Sequence, residues 1–234
     1  VVYQPEKRFL TVSGIETENF ELKENVVLMD EVVISATRAG EEDPFAQTVG
    51  SSEELQRNNF GQNIPFLLGG TPSLVFTSDD GTGYGYSYMR IRGSDATRVN
   101  VTINDVPLND AESQSVFWVN LPNIAASAND IQIQRGAGTS TNGAAAFRGS
   151  VNIRTSLPSD KAGADLSYNV GSFGAQKFSA AFTSGLLNDH YELSGRFSRA
   201  YSDGYIDRAS SDMSSYFLSG GYYDNRTTIK VLGF

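Results

Sequence analysis

The residue types that carry most enzyme chemistry are scarce in this sequence of 234 residues. It contains no cysteine and a single histidine, His190, which excludes thiol nucleophiles, cysteine zinc sites and histidine pairs. Residues 81–85 (Gly-Thr-Gly-Tyr-Gly) superficially resemble a phosphate-binding loop, but they lack the strand–loop–helix context and the lysine that such a loop needs. The carboxylates of Asp79 and Asp80 are adjacent in sequence rather than placed across a cleft. The sequence therefore predicts a protein that is not an enzyme, with neither a metal site nor a cofactor.

Two loops combine aromatic and polar side chains in a way that suits the binding of a small ligand. Residues 79–88 contain three tyrosines and two aspartates, and residues 108–115 contain asparagine, aspartate, glutamate and serine. The alternative is that both loops only fill space within the fold. The candidate ligand-binding residues are Asp79, Asp80, Tyr84, Tyr86, Asn109, Asp110 and Glu112.

The charge balance argues against a nucleic-acid partner. The formal net charge is −9, whereas binding to phosphates depends on an excess of lysine and arginine. Charged residues make up 19%, below the ~25% of average soluble domains. The 23 glycines, 14 phenylalanines and 11 tyrosines favour a strand-rich protein with many turns. Between Lys23 and Lys161 every basic residue is arginine, the cation that best forms bidentate pairs with carboxylates.

The region 28–158 is predicted to be a small mixed α and β unit that positions the two loops. Ser51 or Ser52 can cap a helix over 51–58, with Glu54 closing a capping box. A second short helix is expected at 63–68, before two glycines. Strands are expected where apolar residues alternate with polar ones, at 73–76, 89–93, 99–103, 131–136 and 150–155. Residues 1–27 are expected to be the end of a preceding β domain or a linker.

Residues 159–234 show a different pattern, with long period-two alternation separated by short connections. This predicts an up-and-down meander of four to five antiparallel strands with one apolar, partly aromatic face. Strand lengths near ten residues favour a membrane barrel, and the alternative is a soluble sheet with one wet face. A barrel with room for a folded unit inside needs about 22 strands. The sequence therefore leads us to expect a fragment of a longer protein, or a chain completed by other copies.

Five motifs in the same order make the middle region resemble the plug domain of TonB-dependent outer-membrane receptors. The sequences of residues 117–122 and 202–209 are similar to those of the Bacteroidota branch of that family. Within the Val101 to Pro107 motif, Asn104-Asp105 stands where the family has Asp-Gly. The motifs are 30–36 (Asp-Glu-Val-Val-Ile-Ser-Ala, similar to a TonB box), 89–93 (Met-Arg-Ile-Arg-Gly), 101–107 (Val-Thr-Ile-Asn-Asp-Val-Pro), 133–136 (Ile-Gln-Arg-Gly) and 142–153.

The resemblance implies a fold class, which is a mixed α+β plug domain followed by antiparallel strands of an incomplete transmembrane β-barrel, 22-stranded in the family. It implies three segments: 1–27 before the plug, 28–158 as TonB box and plug, and 159–234 as the first four to five barrel strands. The side chains that it assigns to binding TonB are Asp30, Glu31, Val32, Val33, Ile34 and Ser35, and those that it assigns to ion pairs with the barrel wall are Arg90, Arg92 and Arg135.

The resemblance also implies a function. The chain would belong to an outer-membrane receptor that binds a scarce nutrient outside, such as a metal chelate, haem or cobalamin, and imports it with force transmitted by TonB. Its partners would be the periplasmic C-terminal domain of TonB, outer-membrane lipid and the nutrient, with a surface lipoprotein as a further candidate. The plug and the N-terminus would face the periplasm. The alternative is a plug-like binding module, or a subunit of a larger outer-membrane complex, that transports nothing.

Overall fold

The computed structural model describes residues 2–3, 24–25, 38–40, 46–137, 148–155, 158–224 and 226–234. The predicted TonB box at 30–36 therefore lies outside the described residues, as does the first half of the motif at 142–153. Among the residues that are described, no helix is long and apolar enough to cross a membrane.

Within the described residues, the first part of the chain forms nine strands and two short α-helices, which are β1 (Val2–Tyr3), β2 (Glu24–Asn25), β3 (Gln47–Ser51), α1 (Ser52–Asn58), α2 (Ile64–Leu67), β4 (Leu74–Ser78), β5 (Ser87–Ile91), β6 (Val99–Ile103), β7 (Val106–Pro107), β8 (Ala128–Arg135) and β9 (Gly149–Thr155). Strands β1 and β2 pair with each other, β4 and β5 form a separate hairpin, and the other five strands form one sheet in the order β3-β8-β9-β6-β7. In that sheet β6 and β9 are parallel, and the remaining pairs are antiparallel. We call the described residues from 38 to 155 the N-terminal unit.

Local sequence signals set the ends of several of these elements. The hydroxyl of Ser51 accepts the N–H of Glu54, and the carboxylate of Glu54 accepts the N–H of Ser51, both at 3.3 Å, so α1 begins with the predicted capping box. Asn104 and Asp105 both have positive φ, 46° and 66°, and they connect β6 to β7 as a two-residue turn. Asn and Asp adopt this conformation more readily than most residues, so the departure from Asp-Gly still makes the tight hairpin.

The core of the N-terminal unit is built from the apolar faces of the central strands. Ile91, Ile131, Ile133 and Val151 are fully buried, and Trp118, the only tryptophan, packs against the same cluster with 3% exposure. Burial of this kind contributes about 1.5–3 kcal/mol for each large apolar side chain. The core therefore fixes the sheet from which the candidate loops project.

The last part of the chain is a single antiparallel meander of five strands, as predicted. The strands pair in sequence order, and the third and fourth of them are 12 and 13 residues long. We call these five strands the C-terminal sheet: β10 (Gly163–Val170), β11 (Gln176–Thr183), β12 (Tyr191–Ser202), β13 (Ser211–Tyr223) and β14 (Thr228–Gly233).

The C-terminal sheet has the reverse of the polarity expected of a water-soluble sheet. Its exposed face is apolar, with Leu166 75%, Tyr216 59% and Val231 68% exposed. Its other face packs against the N-terminal unit and is largely polar. A soluble sheet with one wet face would bury the apolar side and expose the polar side. The buried polar side chains of the C-terminal sheet are Lys177, Ser179, Glu192, Ser198, Ser202 and Ser219.

Candidate functional site

The two ends of the C-terminal sheet differ in the length and the contacts of their connections. One end has the β10–β11 turn and the longer β12–β13 loop, and we call it the loop end. The other end has the β11–β12 and β13–β14 connections and is called the turn end. Each end touches a different part of the N-terminal unit, so the sheet orients that unit along its own length.

Asp80 links the N-terminal unit to the loop end. Its backbone carbonyl accepts the N–H groups of Tyr205 at 2.8 Å and Ile206 at 3.2 Å, both in the β12–β13 loop. At the turn end, the ammonium group of Lys230 donates to the hydroxyl of Thr155 at 3.2 Å. The predicted ligand loop 79–88 therefore lies at the loop end, and the last residue of β9 lies at the turn end.

The carboxylate of Asp80 shapes the loop that precedes β5. It is 2% exposed. It accepts the N–H groups of Thr82 and Gly83 at 3.0 Å and of Tyr84 at 3.3 Å, and it also accepts the Thr82 hydroxyl. Gly81 and Gly83 have positive φ, which glycine adopts without strain. The side chain of Asp80 is therefore committed to the loop framework and is not offered to a ligand.

Tyr84 is also part of the framework. Its side chain is 2% exposed, and its hydroxyl donates to the carbonyl of Phe60 at 2.7 Å. Burial, together with the negative charge of Asp80, raises the pKa of Tyr84 to about 12. The tyrosine stays neutral at physiological pH and joins the loop to the segment before α2.

Three exposed side chains of the β4–β5 hairpin are better placed to meet a ligand. Asp79 is exposed, Tyr86 is 53% exposed and Tyr88 is 47% exposed. The Tyr88 hydroxyl lies 3.5 Å from the carboxylate of Asp79. Loss of solvent around the phenol, the charge of Asp79 and this hydrogen bond raise the pKa of Tyr88. Tyr88 was not among the predicted site residues, although the alternation of Tyr88 with the buried Met89 indicates that its side chain is exposed.

The second predicted loop is organised by its own side chains. Asn109 donates to the carbonyls of Val99 at 3.0 Å and Gln114 at 2.9 Å, and it accepts the N–H of Val101 at 2.8 Å. These three bonds fold the loop back onto β6. No hydrogen bond or ion pair between described residues joins this loop to 79–88, so the two predicted loops are not brought into one polar cluster.

Asp110 and Glu112 remain at the surface of that second loop. The carboxylate of Asp110 accepts the N–H of Ser113 at 2.7 Å and the N–H of Glu112 at 3.1 Å. The hydrogen bonds from Ser113 lower the pKa of Asp110. The loop therefore presents a carboxylate that stays ionised below the usual range of aspartic acid, next to the exposed Glu112.

The three predicted arginines lie on or near the surface of the N-terminal unit. Arg90 and Arg92 are exposed, and a Cβ at Gly136 would come within 2.7 Å of a guanidinium nitrogen of Arg92. Arg135 is half-buried and donates to the carbonyls of Pro72 at 3.4 Å and Gln47 at 3.5 Å. Among the described residues none of the three forms an ion pair with the C-terminal sheet, and their pairing with a barrel wall stays a prediction.

In place of such ion pairs, cations of the sheet donate to neutral groups of the N-terminal unit. Lys177 donates to the carbonyl of Asn59 at 3.0 Å, and Arg196 donates to the hydroxyl of Ser127 at 3.2 Å. A neutral contact adds to these, from Asn123 to the hydroxyl of Ser198 at 2.6 Å. Sequence patterns could not assign these contacts, because each joins residues that are at least 69 positions apart.

The sequence analysis also did not predict a buried charge cluster near the start of the N-terminal unit. The carboxylate of Asp130 accepts two guanidinium groups, from Arg38 at 2.5 Å and from Arg154 at 2.5 Å. The side chain of Asp130 is 8% exposed, that of Arg38 is 11% and that of Arg154 is 32%. Asp130 lies on the polar face of β8 beside Gln132. The alternation of polar and apolar residues along β8 was the sequence feature that could have indicated this cluster.

The same cluster holds Arg38, which is the described residue closest in sequence to the predicted TonB box. Next to Arg38, the N–H of Ala39 donates to the side-chain oxygen of Gln132 at 2.9 Å, and the carbonyl of Ala39 accepts its amide at 2.8 Å. Burial desolvates Asp130 and by itself raises its pKa, but the hydrogen bond from Arg154 and the charges of both arginines outweigh that effect, so its pKa is lowered. Asp130 therefore acts as the ionised anchor of this segment.

Comparison with known proteins shows what the N-terminal unit is similar to. Residues 39–150 match the family model described as the TonB-dependent receptor plug domain. The search of curated proteins gave no match. The N-terminal unit is therefore similar to a plug domain, and the C-terminal sheet follows it.

Solved structures share the fold of both units. The siderophore receptor PirA from Acinetobacter baumannii has a TM-score of 0.63 at 16% identity over 80% of this chain and 30% of that one. The pyoverdine receptor FpvA from Pseudomonas aeruginosa PAO1 has a TM-score of 0.66 at 15% identity, covering 81% and 27%. The copper transporter OprC has a TM-score of 0.62 at 17% identity, covering 80% and 29%. The chain spans under a third of the length of these structures, and at such identity the likeness shows the fold: a plug followed by strands arranged like the start of a receptor barrel.

Proposed function

We propose that this chain supplies the plug and the first barrel strands of an outer-membrane receptor that binds a nutrient outside and imports it with force from TonB. The observation that carries the proposal is the polarity of the C-terminal sheet. Lipid-facing strands expose apolar residues and turn polar ones inward, and here Leu166, Tyr216 and Val231 are exposed while Lys177 and Glu192 are buried on the other face of the sheet.

The orientation in the membrane follows from where the plug segment begins. Arg38 comes two residues after the predicted TonB box, and its partner Asp130 pairs with Ser51 near the start of β8. The same end of the sheet in the N-terminal unit also carries Thr155, which contacts Lys230 at the turn end of the C-terminal sheet. We therefore place the turn end in the periplasm, where TonB works, and the loop end outside the cell.

The loop end then carries the residues that meet the nutrient first. Tyr86 and Tyr88 offer exposed aromatic faces and Asp79 offers a carboxylate beside them. Asp110 and Glu112 add negative charge on the second loop. The named relatives are receptors for siderophores and a copper transporter, which supports a metal or its chelate as the first class of nutrient to test.

The membrane placement can be tested by site-directed spin labelling, because the sequence contains no cysteine. Leu166→Cys, Tyr216→Cys and Val231→Cys place the label on the apolar face. Ser179→Cys and Ser219→Cys are the matched controls on the face that packs against the plug. In outer-membrane lipid, we expect the first three labels to be relaxed by oxygen and not by a water-soluble nickel chelate. Relaxation of those three by the nickel chelate would contradict a lipid-facing sheet.

The coupling to TonB can be tested at the predicted TonB box. Strand addition depends on backbone hydrogen bonds, and proline removes one N–H. We expect Val33→Pro to abolish binding of the protein to the periplasmic domain of TonB, while Val33→Thr, which keeps the N–H and the β-branched shape, retains it. Equal binding by both variants, measured by titration calorimetry, would show that TonB does not pair with this segment and would favour the module that transports nothing.

A further inference from the structure

A cleft with aromatic walls lies at the loop end, between the plug and the β10–β11 turn. It has a volume of about 450 Å³, within the range of roughly 300–1,000 Å³ that is typical of small-molecule sites. Phe60 and Phe173 line it and are 48% and 47% exposed, and Phe66 and the buried Tyr84 complete the aromatic wall. We call this space the aromatic cleft. It is separate from the exposed face of Tyr86 and Tyr88, neither of which lines it.

The polar groups of the aromatic cleft are neutral. Gln62, Thr82, Asn169 and Ser172 line it, and among its described lining residues the only ionisable side chain is Tyr84. The hydroxyl of Tyr84 is held by a backbone carbonyl, and its pKa of about 12 keeps it uncharged. A phosphate or carboxylate group would find no counter-charge in this space, and desolvating it there would be costly.

Two amide groups of the cleft have hydrogen-bonding capacity to spare. The side chain of Asn169 makes no hydrogen bond to any described residue, and Gln62 uses only its oxygen, which accepts the N–H of Phe60 at 3.2 Å. Each amide can both donate and accept. A ligand with several neutral hydroxyl groups would satisfy them, whereas a plain aryl ring would leave them unpaired.

The walls of the aromatic cleft are held in place before any ligand binds. Phe173 makes an edge-to-face contact with Tyr205, with ring centroids 5.5 Å apart. The carbonyl of Phe173 accepts the N–H of Asp203 at 2.9 Å. On the plug side, the Tyr84 hydroxyl fixes the backbone at Phe60. A preformed site loses less conformational entropy on binding.

We infer that the aromatic cleft binds a neutral sugar ring, with its apolar face against Phe60 or Phe173 and its hydroxyl groups on Gln62 and Asn169. The inference rests on the proposed function, because it names a class of nutrient for the loop end, which that proposal places outside the cell. Binding itself requires neither TonB nor transport. The ligand would touch the plug and the first barrel turn at once.

The test is binding of maltose and cellobiose to the protein in lipid nanodiscs, measured by saturation-transfer NMR, with glucose 6-phosphate and p-cresol as comparison probes. We expect the two neutral sugars to bind and the two comparison probes to bind at least about tenfold more weakly. Phe60→Leu and Phe173→Leu remove a flat face and keep an apolar side chain, and each should weaken sugar binding by about tenfold. Asn169→Leu should weaken it similarly. Phe178→Leu is the matched control, because Phe178 is exposed on the outer face of β11 and does not line the cleft.

Four outcomes decide the inference. Sugar binding that is lost in the three cleft variants and kept in Phe178→Leu supports it. Stronger binding of p-cresol than of sugars, stronger binding of glucose 6-phosphate, or no binding of any probe overturns it. Failure here is distinguishable from failure of the proposed function: if Val33→Pro removes TonB binding while no sugar binds, the receptor function stands without this ligand class. If sugars bind and TonB does not, the sugar site in the aromatic cleft is supported and transport driven by TonB is not.

Discussion

Replacing Asp130 with asparagine should loosen the central strands of the plug. The carboxylate is 8% exposed and holds both Arg38 and Arg154 at 2.5 Å. The asparagine side chain would keep the volume, but its neutral amide would leave two guanidinium groups without their counter-charge. Removing one partner from a buried ion pair costs about 3–5 kcal/mol. Because Arg154 is 32% exposed and can recover some hydration, the lower end applies, about 3 kcal/mol.

Hydrogen exchange followed by mass spectrometry measures this loss where it occurs. A change of about 3 kcal/mol raises the equilibrium constant for local opening by roughly 150-fold, since 1.36 kcal/mol corresponds to tenfold. We expect amides of β8 and of its partner β9 to exchange faster by that factor in Asp130→Asn. Amides of β12, in the C-terminal sheet, should be unchanged.

The matched control is Glu53→Gln, which makes the same change of carboxylate to amide in an exposed pair. Glu53 and Arg57 are one helical turn apart at 2.8 Å, with side chains 82% and 69% exposed. Such pairs contribute about 0.3–0.5 kcal/mol, so exchange should rise by no more than about twofold. If Asp130→Asn changed the exchange of β8 no more than this control does, the reasoning about a buried anchor would be wrong.

The same anchor gives a dependence on pH with a definite sign. The pKa of Asp130 is lowered in the fold, so the unfolded chain takes up the proton first as pH falls. The stabilisation is fully present above the unfolded value, about 3.9, and is lost as pH falls through the lower folded value. Protection of β8, corrected for intrinsic exchange, should therefore fall below about pH 4 in the parent protein. The amide in Asp130→Asn does not titrate, and this step should be absent from the variant.

Three further predictions concern single side chains of the plug. Tyr84→Phe should cost about 0.5–1.5 kcal/mol in urea unfolding, because it removes the hydrogen bond to Phe60, and phenolate absorbance should show Tyr84 titrating near pH 12. Gly149→Ala should destabilise the plug by about 1–3 kcal/mol in the same assay, because its Cβ would lie 2.9 Å from the carbonyl oxygen of Gln134. Trp118 is 3% exposed, so iodide should quench its fluorescence weakly before unfolding and strongly after it; strong quenching of the folded chain would place it at the surface.

Period-two patterns predicted most of the strands because alternation is a local property that each strand carries alone. The strands β10, β11, β12 and β14 and the central strands β8 and β9 appear where the pattern placed them. The capping box at Ser51 and Glu54 is local in the same sense. The parallel pairing of β6 with β9 is not, since it joins residues about 50 apart and depends on the packed core.

The candidate site was harder to predict because residue type does not reveal which way a loop side chain points. Asp80 and Tyr84 are the residue types of a binding loop, yet their polar atoms satisfy backbone groups of the fold. Buried backbone groups need partners, and short polar side chains in loops often supply them. Tyr88, which the strand pattern places on the exposed face of β5, shows that periodicity was the better guide.

The contacts between plug and sheet bear on how a plug can leave a barrel. Several cations of the sheet donate to neutral oxygens of the plug, as Lys177 does to Asn59 and Arg196 to Ser127. Water can replace such partners at a net cost of about 0.5–1.5 kcal/mol each, or up to about 3 where the donor is charged. Within the plug, by contrast, Asp130 holds two arginines in a buried cluster whose disruption costs more. A pull on the segment before Arg38 would therefore load the Asp130 cluster directly, while the contacts with the sheet offer water a route to take their place. Under the proposed function, a load applied at that segment would reach a buried ion-pair cluster, whereas the surface between plug and sheet carries weaker contacts.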